Sequence, residues 1–233
     1  MPAGPVVVVL PAPGGAAALR RLAPALPRDW VRGVVLVAGP GEAPGAMPAG
    51  VSAVPAPADG RREVAAVAAA LDLGAEVVAL LRPDGDPEPL VVPRLAGPIV
   101  EGRADVVLGS RALAPGGRTG GTARAAIERA GAAVVRPLLG VALTEPATPW
   151  RAVSRTALER IPWRRGPAGR AFDLELPALA LARGLRVREV PTRTAEDGAG
   201  VGEEVELALR CAAVALALAA HRRHWWRWRR LRP

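Results

Sequence analysis

The chain has 233 residues, half of them hydrophobic, and a formal net charge of +9. That length suits one domain with a full core, and the single cysteine, Cys211, excludes an intrachain disulfide and points to a reducing compartment. The basic balance directs attention to anionic partners: phosphorylated ligands, anionic lipid or nucleic acid. All 31 basic residues are arginine, and Lys, Asn, Gln and Tyr are absent. This is a bias toward GC-rich codons, so a choice of Arg over Lys says little by itself. The opening "MPAGPVVVVLPAPGG" has no basic segment before its short apolar run, so no signal peptide is expected.

Val6–Leu10 is a continuous β-branched run closed by Pro and Gly, the pattern of a buried parallel strand entering a loop. Ala16–Leu26 has helix formers at apolar spacing, and Val34–Val37 is a second short strand. The Pro/Gly/Ala-rich segment Ala38–Gly60 is expected to be disordered or variable. Glu63–Leu73 reads as an alanine-rich helix. Val77–Leu81 reads as a third strand, and it stops abruptly at Arg82-Pro83-Asp84-Gly85-Asp86. Leu90–Glu101 is expected to be helical although Pro93 and Pro98 interrupt it. Val106–Gly109 is a fourth strand, ending in Ser110-Arg111.

The second half begins with a flexible "GGRTGG" loop and a helix over Ala123–Leu139 that carries Arg124, Arg129 and Arg136. Thr144–Arg151 reads as a polar turn. Phe172–Arg183 reads as a helix, interrupted or begun near Pro177, and Leu185–Val190 as a short strand. Glu203–Ala220 is helical and mainly apolar; its Val205–Ala220 stretch is too short for a membrane span and contains Glu206 and Arg210. Strands alternating with helices predict an α/β domain with a mostly parallel sheet, over residues 1–202, followed by an amphipathic helix and basic tail over 203–233. Such sheets bind ligands at the carboxyl ends of their strands. That rule selects the loops beginning at Pro11, Ala38, Arg82 and Ser110.

Several segments fall into one familiar order. "VVVVLPAPGG", "VVLVAGPGEAPG", "VVALLRPDGDPEPLVVPRLAGPIVEGRADVVLGSR", "TEPATPWRAVSRTALERI" and "FDLELPALALARGLRVREVPTR" succeed one another. In this succession the chain resembles the family 2 glycosyltransferases, in particular the polyprenyl-phosphate, dolichol-phosphate-mannose-synthase-like branch. The resemblance runs from Val6 to about Arg210. It implies a single-domain, Rossmann-like GT-A fold of the nucleotide-diphospho-sugar transferase type. It also implies inverting transfer of a sugar from a nucleotide-sugar donor to a membrane-associated polyprenyl phosphate.

The departures from the family pattern concern the donor side. Where the family carries nucleotide-binding carboxylates after its first two strands, this chain has Gly14, Gly15, Ala38 and Gly39. Arg82 takes the place of the first aspartate of the metal-binding pair, and Asp84 keeps the second, making the DxD motif degenerate. Glu145 stands for a later aspartate, Thr148-Pro149-Trp150 for a flexible S-G-F, and Arg111 and Arg151 stay.

A departing nucleoside diphosphate needs its charge stabilised, which a divalent metal on carboxylates ordinarily does. Asp84, with Asp86 or Glu88, would hold Mg²⁺ or Mn²⁺ more weakly than a pair, or not at all. Arg82 would repel a metal and attract a diphosphate. Either Arg82 partly replaces the cation, or it pairs with Asp84 or Asp86 in a turn that has lost its ligand. Arg111, Arg124 and Arg151 are candidates for the phosphate groups, against the alternative of solvated surface arginines. Glu145 is a candidate to orient a sugar hydroxyl or act as a weak base, against that of a surface acid. Asp173 and Glu175 read as acids favoured by a helix N-terminus.

The tail "HRRHWWRWRRLRP" interleaves Trp225, Trp226 and Trp228 with six arginines. Tryptophan favours the headgroup region and arginine favours anionic lipid, so an anionic membrane surface is the expected partner. Nucleic acid, gripped by stacking and phosphate contacts, is the weaker expectation, and a solvated tail the third. Together these place the chain in the cytoplasm, peripheral to the inner face of the cell membrane. The alternative function is that of a catalytically inactive relative acting as a binding or regulatory partner.

Overall fold

A computed structural model describes residues 4–11, 19, 20, 22, 26–39, 49–82, 91–115 and 143–192, with single positions between 205 and 220. Its centre is a seven-stranded sheet. The strands are β1 (Val6–Leu10), β2 (Val31–Ala38), β3 (Val51–Pro55), β4 (Val77–Leu81), β5 (Val106–Ser110), β6 (Trp150–Ser154) and β7 (Val187–Pro191). The helices described over continuous ranges are α1 (Arg62–Asp72), α2 (Val91–Val100), α3 (Arg155–Arg160) and α4 (Arg170–Ala182).

The strand order is β3-β2-β1-β4-β6-β5-β7. β1 pairs in parallel with β2 and β4, β2 with β3, and β5 with β7, whereas β6 lies antiparallel between β4 and β5. β1, β4, β5 and β6 are buried at every position, as expected for strands covered on both faces. Alternate residues serve two separate cores. Val7, Val9, Val78, Leu80, Leu108 and Val153 face α1, α3 and α4, whereas Val8, Leu10, Ala79, Leu81, Trp150 and Ala152 face α2. The edge strands β3 and β7 are only half-buried.

The expected strands, and the expected helices Glu63–Leu73, Leu90–Glu101 and Phe172–Arg183, are present with ends shifted by a few residues; of the expected helix Ala16–Leu26 only positions 19, 20 and 22 are described, and they are helical. α2 forms despite its prolines: Pro93 falls in the first turn, where no intrahelical N–H is needed, and Pro98 lies near the last turn. Two expectations are overturned. The segment Ala38–Gly60 contains β3, which extends the sheet beyond β2 through the register Val34↔Val51 to Ala38↔Pro55. The expected polar turn Thr144–Arg151 ends inside β6, where Trp150 and Arg151 are the first two strand residues. The expected helix Ala123–Leu139 and the loop before it lie outside the described residues, and so do Asp84, Asp86 and Arg124.

Candidate functional site

The antiparallel direction of β6 determines the chemistry of the sheet edge. β1, β2, β4, β5 and β7 all end at one edge, and β6 starts there. Arg151 is therefore opposite Leu80 on one side and Leu108 on the other, close to the carboxyl ends of β4 and β5. Strand alternation sends Arg151 to the same face as Val78 and Leu80. Arg82, two residues beyond Leu80, continues that alternation.

Both arginines meet one carboxylate from the helix above. Arg151 Nη2 is 2.7 Å from Asp173 Oδ1, and Arg82 Nη1 is 3.3 Å from Asp173 Oδ2. Asp173 is in the first turn of α4, where a carboxylate also complements the helix dipole. The Arg151 side chain is wholly buried, Asp173 is 4% exposed, and Arg82 reaches solvent at 19%. Arg151 Nη2 also donates to the Thr148 carbonyl. Its Nε and Nη1 find no acceptor among the described residues. Burial pulls the Arg151 guanidinium below its ordinary value; Asp173 opposes this and Arg82 adds to it.

A second carboxylate closes this group from α1. Glu63 is buried and accepts a hydrogen bond from Gly169 N at 3.1 Å, joining α1 to the start of α4. Burial raises its carboxyl above the ordinary value of 4.5; the Asp173 charge adds to this and the Arg82 charge opposes it. Two arginines thus face Asp173 and, in Glu63, a second carboxylate whose ionisation is disfavoured.

Arg111 belongs to a neighbouring cluster at the end of β5. Its backbone N donates to Glu145 Oε2 at 2.8 Å, its Nε donates to Oε1 at 2.7 Å, and Nη2 lies 2.5 Å from Oε1. Glu145 is in turn held through its own backbone N, which donates to Glu189 Oε1 at 2.7 Å. The other Glu189 oxygen accepts from Thr144 N at 2.7 Å and from Thr144 Oγ1 at 2.9 Å. Ser110 Oγ and Thr144 Oγ1 are 2.6 Å apart. β7 therefore fastens the 144–145 segment across the end of β5, and Glu145 holds Arg111 there.

Of the seven residues expected at the site, the structure places Arg82 and Arg151 in one cluster and Arg111 and Glu145 in the next. Asp84, Asp86 and Arg124 are not among the described residues. Arg82 reaches across to Asp173, a contact that the local sequence around Asp84 and Asp86 does not suggest. Asp173, Glu63 and Glu189 are the members that sequence reasoning passed over. Asp173 did carry a signal, an acid in the first turn of a long apolar helix, but its partners are on distant strands.

A divalent cation does not suit the described donors. No group of three or more His, Cys, Asp or Glu side chains is assembled among the described residues. Asp173 is already bound to two guanidinium groups.

No family model matches the chain, and no curated protein sequence matches it. Solved structures do. Glucosyl-3-phosphoglycerate synthase from Mycobacterium tuberculosis, in complex with phosphoglyceric acid, superposes with a TM-score of 0.70 at 21% identity, covering 94% of this chain and 81% of that one. The same enzyme with Mn²⁺, UDP and glucosyl-3-phosphoglycerate gives a TM-score of 0.65 at 21% identity, with 94% and 81% covered. With Mn²⁺, UDP-glucose and glycerol 3-phosphate it gives 0.63 at 20% identity, again with 94% and 81% covered. The chain shares the GT-A fold of that enzyme. At this identity the likeness establishes the fold alone: an α/β architecture with a mostly parallel sheet, as the sequence led us to expect.

Proposed function

We propose that this protein is a glycosyltransferase that moves a sugar from a nucleotide-sugar donor to a phosphate-bearing acceptor, and that the acceptor is a polyprenyl phosphate at the inner face of the cell membrane. The observation that carries the reading is Arg82 at the end of β4, fixed by Asp173 and backed by Arg151. Glucosyl-3-phosphoglycerate synthase, which shares this fold, is known with UDP-glucose, Mn²⁺ and phosphorylated acceptors. These complexes support a nucleotide-sugar donor and an acceptor phosphate.

The chemistry follows from charge. The bond between the anomeric carbon and the donor phosphate oxygen breaks, and a phosphate oxygen of the acceptor forms the new bond. Negative charge grows on the departing diphosphate. A guanidinium offers paired N–H donors to such oxygens, and in a dry site its effect is stronger than in water. An acceptor phosphate is already an anion near neutral pH, so it needs positioning more than deprotonation. Arg111, oriented by Glu145, is suited to that positioning. Metal dependence in this reading is weak, because Asp84 remains from the pair and Arg82 opposes a cation. When bound, Mg²⁺ or Mn²⁺ would add a Lewis acid on the diphosphate.

The test is a donor screen with UDP- and GDP-sugars. Each donor is offered polyprenyl phosphate in vesicles or soluble 3-phosphoglycerate, with Mn²⁺ or with EDTA. Transfer to the lipid that persists in EDTA supports the reading. Transfer to phosphoglycerate alone replaces the acceptor, and strict metal dependence removes the role of Arg82. A second reading is favoured by the same ion pair: without a carboxylate pair at β4, the protein binds a nucleotide-sugar and regulates a partner. Saturable donor binding without turnover of any acceptor supports that alternative.

A further inference from the structure

The C-terminal helical segment has two apolar sides, and only one is used. Positions 205, 209, 212–214, 216 and 220 are helical. Val214 packs on the core formed by α1, α3 and α4. At about 100° per residue, Val205, Leu209, Ala213 and Leu216 project from the opposite side, within about 80° of one another. Val205 is 42% exposed, Leu209 67% and Leu216 57%; Ala213 is exposed as well. Elsewhere among the described residues, large apolar side chains this exposed are scattered singly, at Leu73, Val100 and Leu113. Single ones need no explanation, but a stripe along one helix face does.

The charge pattern indicates what covers it. From Leu207 to Pro233 the chain has seven arginines and no acidic residue, and Trp225, Trp226 and Trp228 lie within eight residues of position 220 in sequence. A second protein surface would match an apolar stripe alone. An anionic bilayer matches all three features, taking the stripe among its acyl chains, the tryptophans at headgroup depth and the arginines at lipid phosphate. No helix among the described residues is long and apolar enough to cross a membrane; the docking mode proposed here is an in-plane one.

We propose that the face formed by Val205, Leu209, Ala213 and Leu216 is a docking surface for an anionic lipid bilayer. The assignment deepens the proposed function, since it brings the enzyme to a lipid acceptor, but it is tested without activity. The full-length protein is floated with phosphatidylcholine vesicles containing or lacking about a third phosphatidylglycerol. Expected is binding to the anionic vesicles only, weakened by high salt. A Leu209→Glu/Leu216→Glu variant is expected to lower the vesicle partition coefficient by at least tenfold with its thermal midpoint unchanged, because both side chains are exposed in the free protein.

Wild-type flotation by this variant would overturn the stripe. Three other results would overturn the bilayer: equal binding to neutral vesicles, binding to an oligonucleotide but not to vesicles, or a dimer that the variant splits without any flotation. Donor binding measured on the same samples separates the two readings. Flotation without donor binding leaves the surface standing and removes the transferase, and donor binding without flotation does the reverse.

Discussion

Arg151 and Asp173 form an ion pair sealed from water, with Nη2 to Oδ1 at 2.7 Å and exposures of 0% and 4%. It ties β6 to α4, and Arg82 attaches β4 to the same carboxylate. Removing one partner of a buried pair leaves a bare charge, which costs about 3–5 kcal/mol. Asp173→Ala removes the carboxylate that both guanidinium groups share, whereas Arg151→Met leaves Asp173 with Arg82. Urea denaturation should therefore show the larger loss for Asp173→Ala. The ion-pair account predicts that Arg151→Met added to Asp173→Ala restores part of that loss.

The raised carboxyl of Glu63 makes a definite contribution to the pH dependence of stability. Its folded form holds a proton more tightly than the unfolded chain does, where the ordinary value is 4.5. The resulting stabilisation is full below that value and is lost as pH rises through the folded one. Glu63→Gln keeps an acceptor for Gly169 N and does not titrate. The stability difference, wild type minus variant, should fall as pH rises from about 4.5. Denaturant midpoints of both proteins across pH 4–8 provide the check. Asp105 has the opposite sign, because hydrogen bonds from Arg186 hold its carboxyl low. Its contribution is lost as pH falls, and it is small because Arg186 is exposed.

Arg82 should govern donor affinity. A hydrogen bond to a charged group contributes about 1.5–3 kcal/mol, so Arg82→Ala should weaken UDP-sugar binding about 10- to 100-fold in EDTA. Arg82→Asp should bind UDP worse still without metal, since it brings a carboxylate toward Asp173. Isothermal titration in EDTA and in Mn²⁺ reads both effects.

Gly109 lies next to the second cluster, where there is no space for a side chain. A Cβ there would lie 2.8 Å from Thr192 Cγ2, 2.9 Å from Thr192 Oγ1 and 3.3 Å from the Trp150 carbonyl. Gly109→Ala should cost about 1–3 kcal/mol through overpacking. The companion Thr192→Gly, which empties that space, should make the alanine tolerable when thermal midpoints are compared.

Glu189→Ala removes the acceptor for Thr144 N, Thr144 Oγ1 and Glu145 N at once. The 143–149 segment should become a preferred site of limited proteolysis. Arg111, held by Glu145, should lose acceptor-phosphate affinity, seen as a raised KM for the acceptor with donor affinity unchanged.

Chain order and local pattern were enough to anticipate most of the fold. Val6–Leu10 and Val77–Leu81 are unbroken apolar runs between breakers, and a strand buried on both faces has no other signature. β3 was hidden because an edge strand needs only a few half-buried residues, and "VSAVP" lies among Pro and Gly. β6 was hidden because Arg151 looks polar in a strand that is in fact fully buried. Its burial is made possible by a carboxylate from a helix some twenty residues later.

The site was readable only in its residue types. Local sequence placed Arg82, Arg111 and Arg151 at the carboxyl edge, since strand ends and loop residues are set within a few positions along the chain, but not the carboxylates Glu63, Asp173 and Glu189 that join them there. Which arginine faces which carboxylate was decided by tertiary structure. β6 enters antiparallel between β4 and β5, and α4 lies over that face, so charges far apart in sequence share one dry space. Ion pairing depends on distance in space and on exclusion of water, and neither is encoded in the spacing of residues along a strand.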